Sequence, residues 1–276
     1  MINTVRKFLY DPMVRDVNVD DNSLLEIHRR ILREKPLMKS TFETFYRDMA
    51  DACDRFFKVD GTEVELGTGV GFFKTLRPKL VTSDVRKGPN IDIELDAQKM
   101  ELRDQSVRCF YAINVFHHLP DPEGFFEELK RVLLPGGGCI LIEPSGSFVS
   151  GLLHRYLHTD EHFDLSAKGW KTANIEGPMS GANQALSHIV FHRDMERFEE
   201  LYGSELEVVC QGYELNGLRY LISGGLNFRQ LLPSFMDRPL KSLESSGRFL
   251  ASKWALHEMI VIRKKNQSVA DTTINA

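Results

Sequence analysis

The 276-residue chain is poor in the features that mark secreted, membrane-spanning or nucleic-acid-binding proteins. It has only four cysteines, Cys53, Cys109, Cys139 and Cys210, with no CxxC or other metal-ligand spacing. A disulfide framework and the common zinc sites are therefore excluded, and reduced core thiols are expected in these apolar contexts. Nowhere do eighteen apolar residues run together, and residues 1–20 hold no continuous apolar stretch. The expectation is a cytoplasmic protein with no membrane span and no signal peptide. Charge of one sign is also lacking: 35 Lys and Arg face 39 Asp and Glu, for a formal net charge of −4. The basic residues are scattered, whereas phosphate neutralisation needs them clustered, so no nucleic-acid partner is expected. Arg263-Lys264-Lys265, the one compact basic run, reads as the solvated end of a final strand. There is no internal repeat.

What is present is a large hydrophobic complement, 42% of residues, enough for the core of one elaborated domain. The most informative run is Val64-Glu65-Leu66-Gly67-Thr68-Gly69-Val70-Gly71, an apolar strand that ends in a carboxylate and three glycines within five positions. Glycine permits positive φ and lets a ligand lie against main-chain N–H groups. A dinucleotide fingerprint would need another glycine where Phe72 stands, which disfavours a pyrophosphate cradle. After a short helix expected between Phe72 and Leu80, Leu80 to Asp84 reads as a second strand ending in a carboxylate suited to ribose hydroxyls. Ile91 to Ala97 reads as a third strand carrying Asp96, and Val107 to Asn114 as a fourth. Pro122 to Leu134 is an amphipathic helix with Phe125, Phe126, Leu129, Val132 and Leu133 at helical spacing, stopped by Pro135-Gly136-Gly137-Gly138. Cys139 to Pro144 is a fifth strand. Glu65, Asp84, Asp96 and Asn114 then fall along the edge where open α/β sheets bind ligands.

Together, ELGTGVG, TSDV, ELDAQKMEL, INVFHHLPDPEGFFEELKRVLLPGGG and ILIEP, spanning roughly residues 60–145, resemble the class I S-adenosylmethionine-dependent methyltransferases, in particular the small-molecule type 11 group. The resemblance implies an α/β, doubly wound, seven-stranded, mostly parallel sheet, a Rossmann-like methyltransferase fold, with strand seven antiparallel between strands five and six. It also implies S-adenosyl-L-methionine as cofactor. Glu65, Gly67, Thr68, Gly69 and Gly71 would hold its methionine part, Asp84 and Val85 its ribose side, Asp96 and Ala97 its adenine edge, and Asn114 would line the pocket under the sulfonium. Two departures stand out. Only eleven residues separate Asp84 from Asp96, so that crossover is expected to be an irregular loop through Gly88-Pro89-Asn90. Arg108 stands near the start of strand four, where the family usually has an aspartate.

Around this core the expected layout is an N-terminal helical cap over 1–58, a methyltransferase domain over 59–265 with N-terminal helices and acceptor-side insertions at 145–200 and 214–256, and a flexible tail over 266–276. Residues 22–58 read as two helices opened by capping boxes, Ser23 with Glu26 and Ser40 with Glu43. In the second, Phe42, Phe45, Tyr46, Met49, Cys53, Phe56 and Phe57 form one stripe, readable as core or as a lid. Leu206 to Cys210 and His257 to Ile262 read as strands six and seven.

The 145–200 stretch concentrates histidines: His154, His158 and His162 recur at four-residue intervals, and His188 and His192 repeat the spacing. Such pairs can bind metal, but no HExxH signature accompanies them and methyl transfer needs no metal, so no metal site is expected. General-base work suits them better, and His158 and His162, flanked by Asp160, Glu161 and Asp164, are the expected catalytic pair. His117-His118, where strand four meets its loop, read equally as packing or as ligand contacts. The expected function is methyl transfer to O or N of a small-molecule acceptor, with a sugar or surface-polysaccharide precursor suggested by resemblance around 177–183 and 221–225. The alternatives are a nicotinamide-dependent oxidoreductase and a non-catalytic S-adenosylmethionine-binding protein.

Overall fold

A computed structural model describes residues 9–15, 17, 21, 23–88, 90–156, 162–172 and 183–266. Its centre is a seven-stranded sheet of order β3-β2-β1-β4-β5-β7-β6. The strands are β1 (Thr62–Leu66), β2 (Val81–Asp84), β3 (Ile93–Glu94), β4 (Val107–Ile113), β5 (Leu133–Pro144), β6 (Leu206–Tyr213) and β7 (His257–Lys264). All neighbouring pairs are parallel except β5 with β7 and β6 with β7. This is the mostly parallel Rossmann-like sheet with its antiparallel seventh strand.

Both faces are covered, and the strand period of two divides the apolar residues between them. Phe110, Ala112, Cys139 and Leu141 face one cluster with α3 (Pro122–Val132), through Phe125, Phe126 and Leu129. Cys109, Tyr111, Ile140 and Ile142 face the other with α2 (Pro36–Phe56), through Phe45, Tyr46, Met49 and Cys53. The aromatic stripe of α2 is thus core. All four cysteines are free, and only Cys210 is less than fully buried.

Several boundaries differ from those read in the sequence, each for a local reason. The second helix begins at Pro36, whose fixed φ suits a first helical position, so Ser40 is interior and caps nothing. The first helix, α1 (Ser23–Glu34), is opened by Asp21, whose Oδ1 accepts from Ser23 N–H at 2.8 Å. Between Phe72 and Leu80 only the 3-10 turn Phe73–Thr75 forms, because Pro78 disfavours helical geometry at Arg77. β5 begins at Leu133, and the glycine run lies inside the strand. A Cβ on Gly138 would stand 2.1 Å from Ile262 O, and one on Gly137 2.5 Å from Arg108 O, so the glycines let β4 and β7 approach. β6 and β7 each run past the expected ends, to Tyr213 and Lys264.

The basic run at the end of β7 is not solvated throughout. Lys264 is buried, and its Nζ donates to Lys130 O at 2.5 Å and Leu133 O at 2.9 Å, satisfying carbonyls at the end of α3. Arg108 donates from Nη1 to Glu63 Oε1 at 2.6 Å and from Nη2 to Phe57 O at 3.0 Å, tying β4 to β1 and to the end of α2. Among the described residues no helix joins β2 to β3. The tail beyond Asn266 lies outside the described residues.

Candidate functional site

The carboxyl ends of β1, β2 and β4 converge on the glycine loop. Gly67 and Gly69 have φ of +59° and +51°, the left-handed region that favours glycine. The loop is held from below: Thr68 N–H donates to Ser83 O at 2.8 Å, Gly71 N–H to Thr68 O at 2.7 Å, and Gly69 N–H to Asp84 Oδ2 at 3.0 Å. Asp84 Oδ1 accepts from Arg86 N–H at 3.0 Å. A Cβ on Gly67 would lie 2.5 Å from Val115 Cγ2, whereas one on Gly69 would make ordinary contacts, 3.8 Å from Gly67 O and 3.9 Å from Leu25 Cδ2.

Glu65 sits beneath this loop, 4% exposed. Thr68 Oγ1 donates to its Oε2 at 3.0 Å, and the Tyr46 hydroxyl bonds it from α2 while accepting from Phe72 N–H at 3.2 Å. Desolvation pushes the Glu65 carboxyl up to about 8, only partly countered by the Thr68 and Tyr46 bonds, and the nearby Asp84 charge adds to the rise. Tyr46 was legible only as part of the α2 stripe. Its signal is that it is the one hydroxyl among those aromatics.

Val85 is half exposed, and Asp96 is exposed, its Oδ1 accepting from Gln98 N–H at 2.9 Å beside buried Ala97. Asn114 follows β4 with φ of +55°, and its buried Oδ1 has no partner. Left-handed backbone and an unpaired amide oxygen in one residue amount to local strain, of the kind that collects at ligand sites.

Asn114 also lines a cavity of about 390 Å³, together with residues from α1, the β4 turn, the β5 and β7 ends, and the loop after α6 (Gly217–Ser223). Its walls carry five histidines, His28, His117, His118, His154 and His257, with Gln184, Arg229 and several leucines. The glycine loop, Glu65 and Asp84 are not among its lining residues; the loop comes near the β4 turn at Val115, the residue after Asn114, whose Cγ2 would stand 2.5 Å from a Cβ on Gly67.

One of these histidines is rigidly paired. His117 Nδ1 lies 2.6 Å from Glu143 Oε2, both side chains almost fully buried. Glu143, in β5, also accepts from Val115 N–H at 2.9 Å, Phe116 N–H at 2.8 Å and His117 N–H at 3.3 Å. As the acceptor in this bond, the Glu143 carboxylate holds a ring hydrogen on Nδ1. His257, 4% exposed, has a buried Nδ1 without a partner. Desolvation first, and the His117 charge second, lower it to about 3. Desolvation likewise lowers His28 to about 4, against a bond to Asn227 Oδ1.

His158 lies outside the described residues. His162 is exposed and is not among the described residues lining the cavity, although its carbonyl accepts from Gln184 N–H at 2.9 Å. The helix that begins this segment, α4 (Phe148–Tyr156), includes His154 alone of the three. His188 and His192 stack at 4.9 Å, and His192 Nε2 bonds Glu258 Oε2 at 2.6 Å, which raises its pKa. Among the described residues no group of three or more potential ligands could hold a metal.

Residues 64–141 match the family model for a methyltransferase domain. The chain carries a class I methyltransferase domain of the type 11 group. No curated protein matches this methyltransferase in sequence. Among solved structures it is similar to a chain from the complex of the Haloferax volcanii Trm112 activator with a methyltransferase, at 15% identity and a TM-score of 0.45, over 88% of this chain and 99% of that one. A SAM-dependent methyltransferase from Archaeoglobus fulgidus aligns at 14% identity and a TM-score of 0.43, over 81% and 94%. Geranyl diphosphate C-methyltransferase from Streptomyces coelicolor aligns at 11% identity and a TM-score of 0.42, over 79% and 78%. The enzyme's cofactor is S-adenosylmethionine, and the oxidoreductase alternative falls away. Among the described residues no helix is long and apolar enough to cross a membrane.

Proposed function

We propose that the enzyme methylates an oxygen or nitrogen of a small acceptor seated in the 390 Å³ cavity, with His117 as general base. The observation that carries this reading is the His117–Glu143 pair, with His117 in the wall of a cavity that Asn114, at the end of β4, also lines. When bound, S-adenosylmethionine supplies a methyl group already activated by its sulfonium. The residues present suit that group: the left-handed Gly67 and Gly69, the carboxyls of Glu65 and Asp84, and the unpaired Oδ1 of Asn114. In this reading Glu65 and the 67–71 loop hold the amino-acid part, Asp84 and Val85 the ribose side, and Asp96 with Ala97 the adenine edge.

The protein's work is then mostly positional, and orientation of this kind can supply roughly 7–11 kcal/mol of a barrier. Glu143 fixes the His117 ring and favours the imidazolium formed when Nε2 takes the acceptor's proton, as a buried carboxylate behind a histidine does elsewhere. His257 and His28, held neutral by burial, offer hydrogen bonds without adding charge to the cavity. Leu153, Leu221, Leu226 and Leu256 in the walls favour an acceptor with a hydrocarbon body over a bare sugar. The test is a screen of hydroxylated and amine-bearing amphiphiles for release of S-adenosylhomocysteine, repeated with His117→Gln. Turnover of a substrate by the wild type and its loss in the variant are expected. Full turnover in the variant would remove His117 from the chemistry.

A further inference from the structure

Several large apolar side chains stand exposed where solvated positions are expected. Phe148, Phe235 and Phe249 are 70%, 77% and 78% exposed, and Leu231, Leu243 and Leu250 stand out beside them. The elements bearing them form one chain of contacts. α4 packs on α8 (Ala251–Trp254), α8 on the turn Arg248–Leu250, that turn on α7 (Asp237–Ser246), and α7 on the turn Ser234–Met236. Isolated exposed apolar residues need no explanation, but three phenylalanines on contiguous elements mark an interaction surface.

The charge within these segments is mostly of one sign, although the whole chain carries −4. Within 148–156 and 229–254 the only acidic residues are Asp237 and Glu244. Asp237 is taken by Lys241 at 2.8 Å and buried Glu244 by Arg219 Nε at 2.7 Å. Arg155, Arg238, Arg248 and Lys253 are exposed, and among the described residues none meets a carboxylate. Phenylalanine and leucine at the tips, with unneutralised arginine and lysine between them, is the pattern of a surface that lies in a lipid interface. A self-complementary contact with a second copy would set these cations against themselves, which favours an anionic partner.

We propose that this face docks on a membrane surface rich in anionic headgroups. Phe148, Phe235 and Phe249 would enter the headgroup and acyl boundary while the four cations meet lipid phosphates. Leu231, itself 56% exposed, also lines the 390 Å³ cavity. An adjoining apolar cavity of about 290 Å³, lined by Leu243 and Trp254, shares Leu221 and Leu256 with it. Docking would therefore bring both cavities against the bilayer and give an amphiphilic acceptor a dry way in. That last clause rests on the cavity reading above, whereas the docking itself does not.

The experiment is co-sedimentation with vesicles of pure phosphatidylcholine and of phosphatidylcholine mixed with phosphatidylglycerol. The wild type should pellet with the mixed vesicles, less so as salt rises, and not with the neutral ones. Arg238→Gln/Arg248→Gln should weaken binding by about five-fold per cation removed. Phe148→Ser/Phe235→Ser/Phe249→Ser should abolish it, with S-adenosylmethionine affinity unchanged in both variants as proof of folding. Absence of pelleting, equal pelleting with neutral vesicles, or variants that bind like the wild type would each overturn the proposal. A dimer in sedimentation velocity that the phenylalanine variant dissolves would overturn it too and assign the face to a second copy. Wild-type turnover of a soluble acceptor without vesicle binding would sink the docking and leave the proposed chemistry standing.

Discussion

His117 and Glu143 join the ends of two adjacent strands, with Nδ1 2.6 Å from Oε2 and the carboxylate gathering three backbone N–H groups of the β4 turn besides. The same carboxylate thus shapes the turn that starts at strained Asn114 and fixes one nitrogen of a ring in the cavity wall. Structure and proposed chemistry depend on one side chain, so the two substitutions at this pair should behave differently.

His117→Gln should leave S-adenosylmethionine affinity near wild type and lower turnover by roughly 10²–10⁴, the usual contribution of a general base. The deficit should shrink at high pH, where the acceptor loses its proton unaided. Glu143→Ala should instead unfold the site, because four donors, three of them in fully buried bonds, lose their acceptor at a cost of at least about 3 kcal/mol. Urea denaturation separates the two. A Glu143→Ala protein as stable as wild type would contradict the account of the β4 turn.

Glu65 should link cofactor binding to a proton. With its carboxyl pushed up to about 8 by burial, it holds a proton at pH 7 in the ligand-free protein. A folded value raised above the unfolded one contributes stability that is fully present below pH ~4.5 and is lost as pH rises through about 8. A cationic ligand above the loop favours the carboxylate, so binding near pH 7 should release a proton, and affinity should rise toward pH 8. Calorimetry in buffers of different ionisation enthalpy measures this directly, and Glu65→Gln should abolish the release. Proton release identical in the variant would assign the linkage elsewhere.

The glycine loop and Asp84 make a simpler pair of expectations. Gly69→Val should abolish cofactor binding, since the φ of +51° strains a branched residue and its side chain would crowd Leu25 over the loop. Asp84→Ala should weaken binding by about 1.5–3 kcal/mol, the value of charge-assisted bonds to hydroxyls, and should loosen Gly69, which donates to it. Titration by calorimetry checks both, and unchanged affinity in Gly69→Val would remove the loop from the site.

What the sequence revealed follows from which signals are local. Val64 to Gly71 carries its own strand, carboxylate and turn chemistry, and Val107 to Ile113 and Cys139 to Pro144 carry buried-strand composition, so the sheet and the cleft could be read directly. The His117–Glu143 pair could not: both residues stood inside quoted motifs, but 26 positions apart, and only the parallel pairing of β4 and β5 brings them together. Of the histidines spaced at 154, 158 and 162, His154 sits in α4 and lines the cavity, His162 is exposed and His158 lies outside the described residues, and a four-residue repeat by itself names a shared helix face but not what that face meets. Tyr46 was masked by the aromatics around it, whose packing set the whole reading of the stripe.

His257 makes the last expectation, and it concerns stability in acid. Its ring is packed edge-on against Phe45 and Tyr220, with Nδ1 unpaired, and burial lowers it to about 3. In the unfolded chain it takes up a proton below about pH 6.5, whereas in the fold it stays neutral, so stability falls as pH drops from 6.5 toward 3. Between pH 6.5 and 4.5 this one residue should cost roughly 2–3 kcal/mol. His28, lowered to about 4 for the same reason, adds a second contribution of the same sign. Urea midpoints at pH 7.5 and 4.5 should therefore differ clearly in the wild type, less in His257→Gln, and least in His28→Gln/His257→Gln. A wild-type pH dependence that both variants reproduce in full would mean that these two rings are protonated in the folded protein, and that the cavity is wetter than its burial implies.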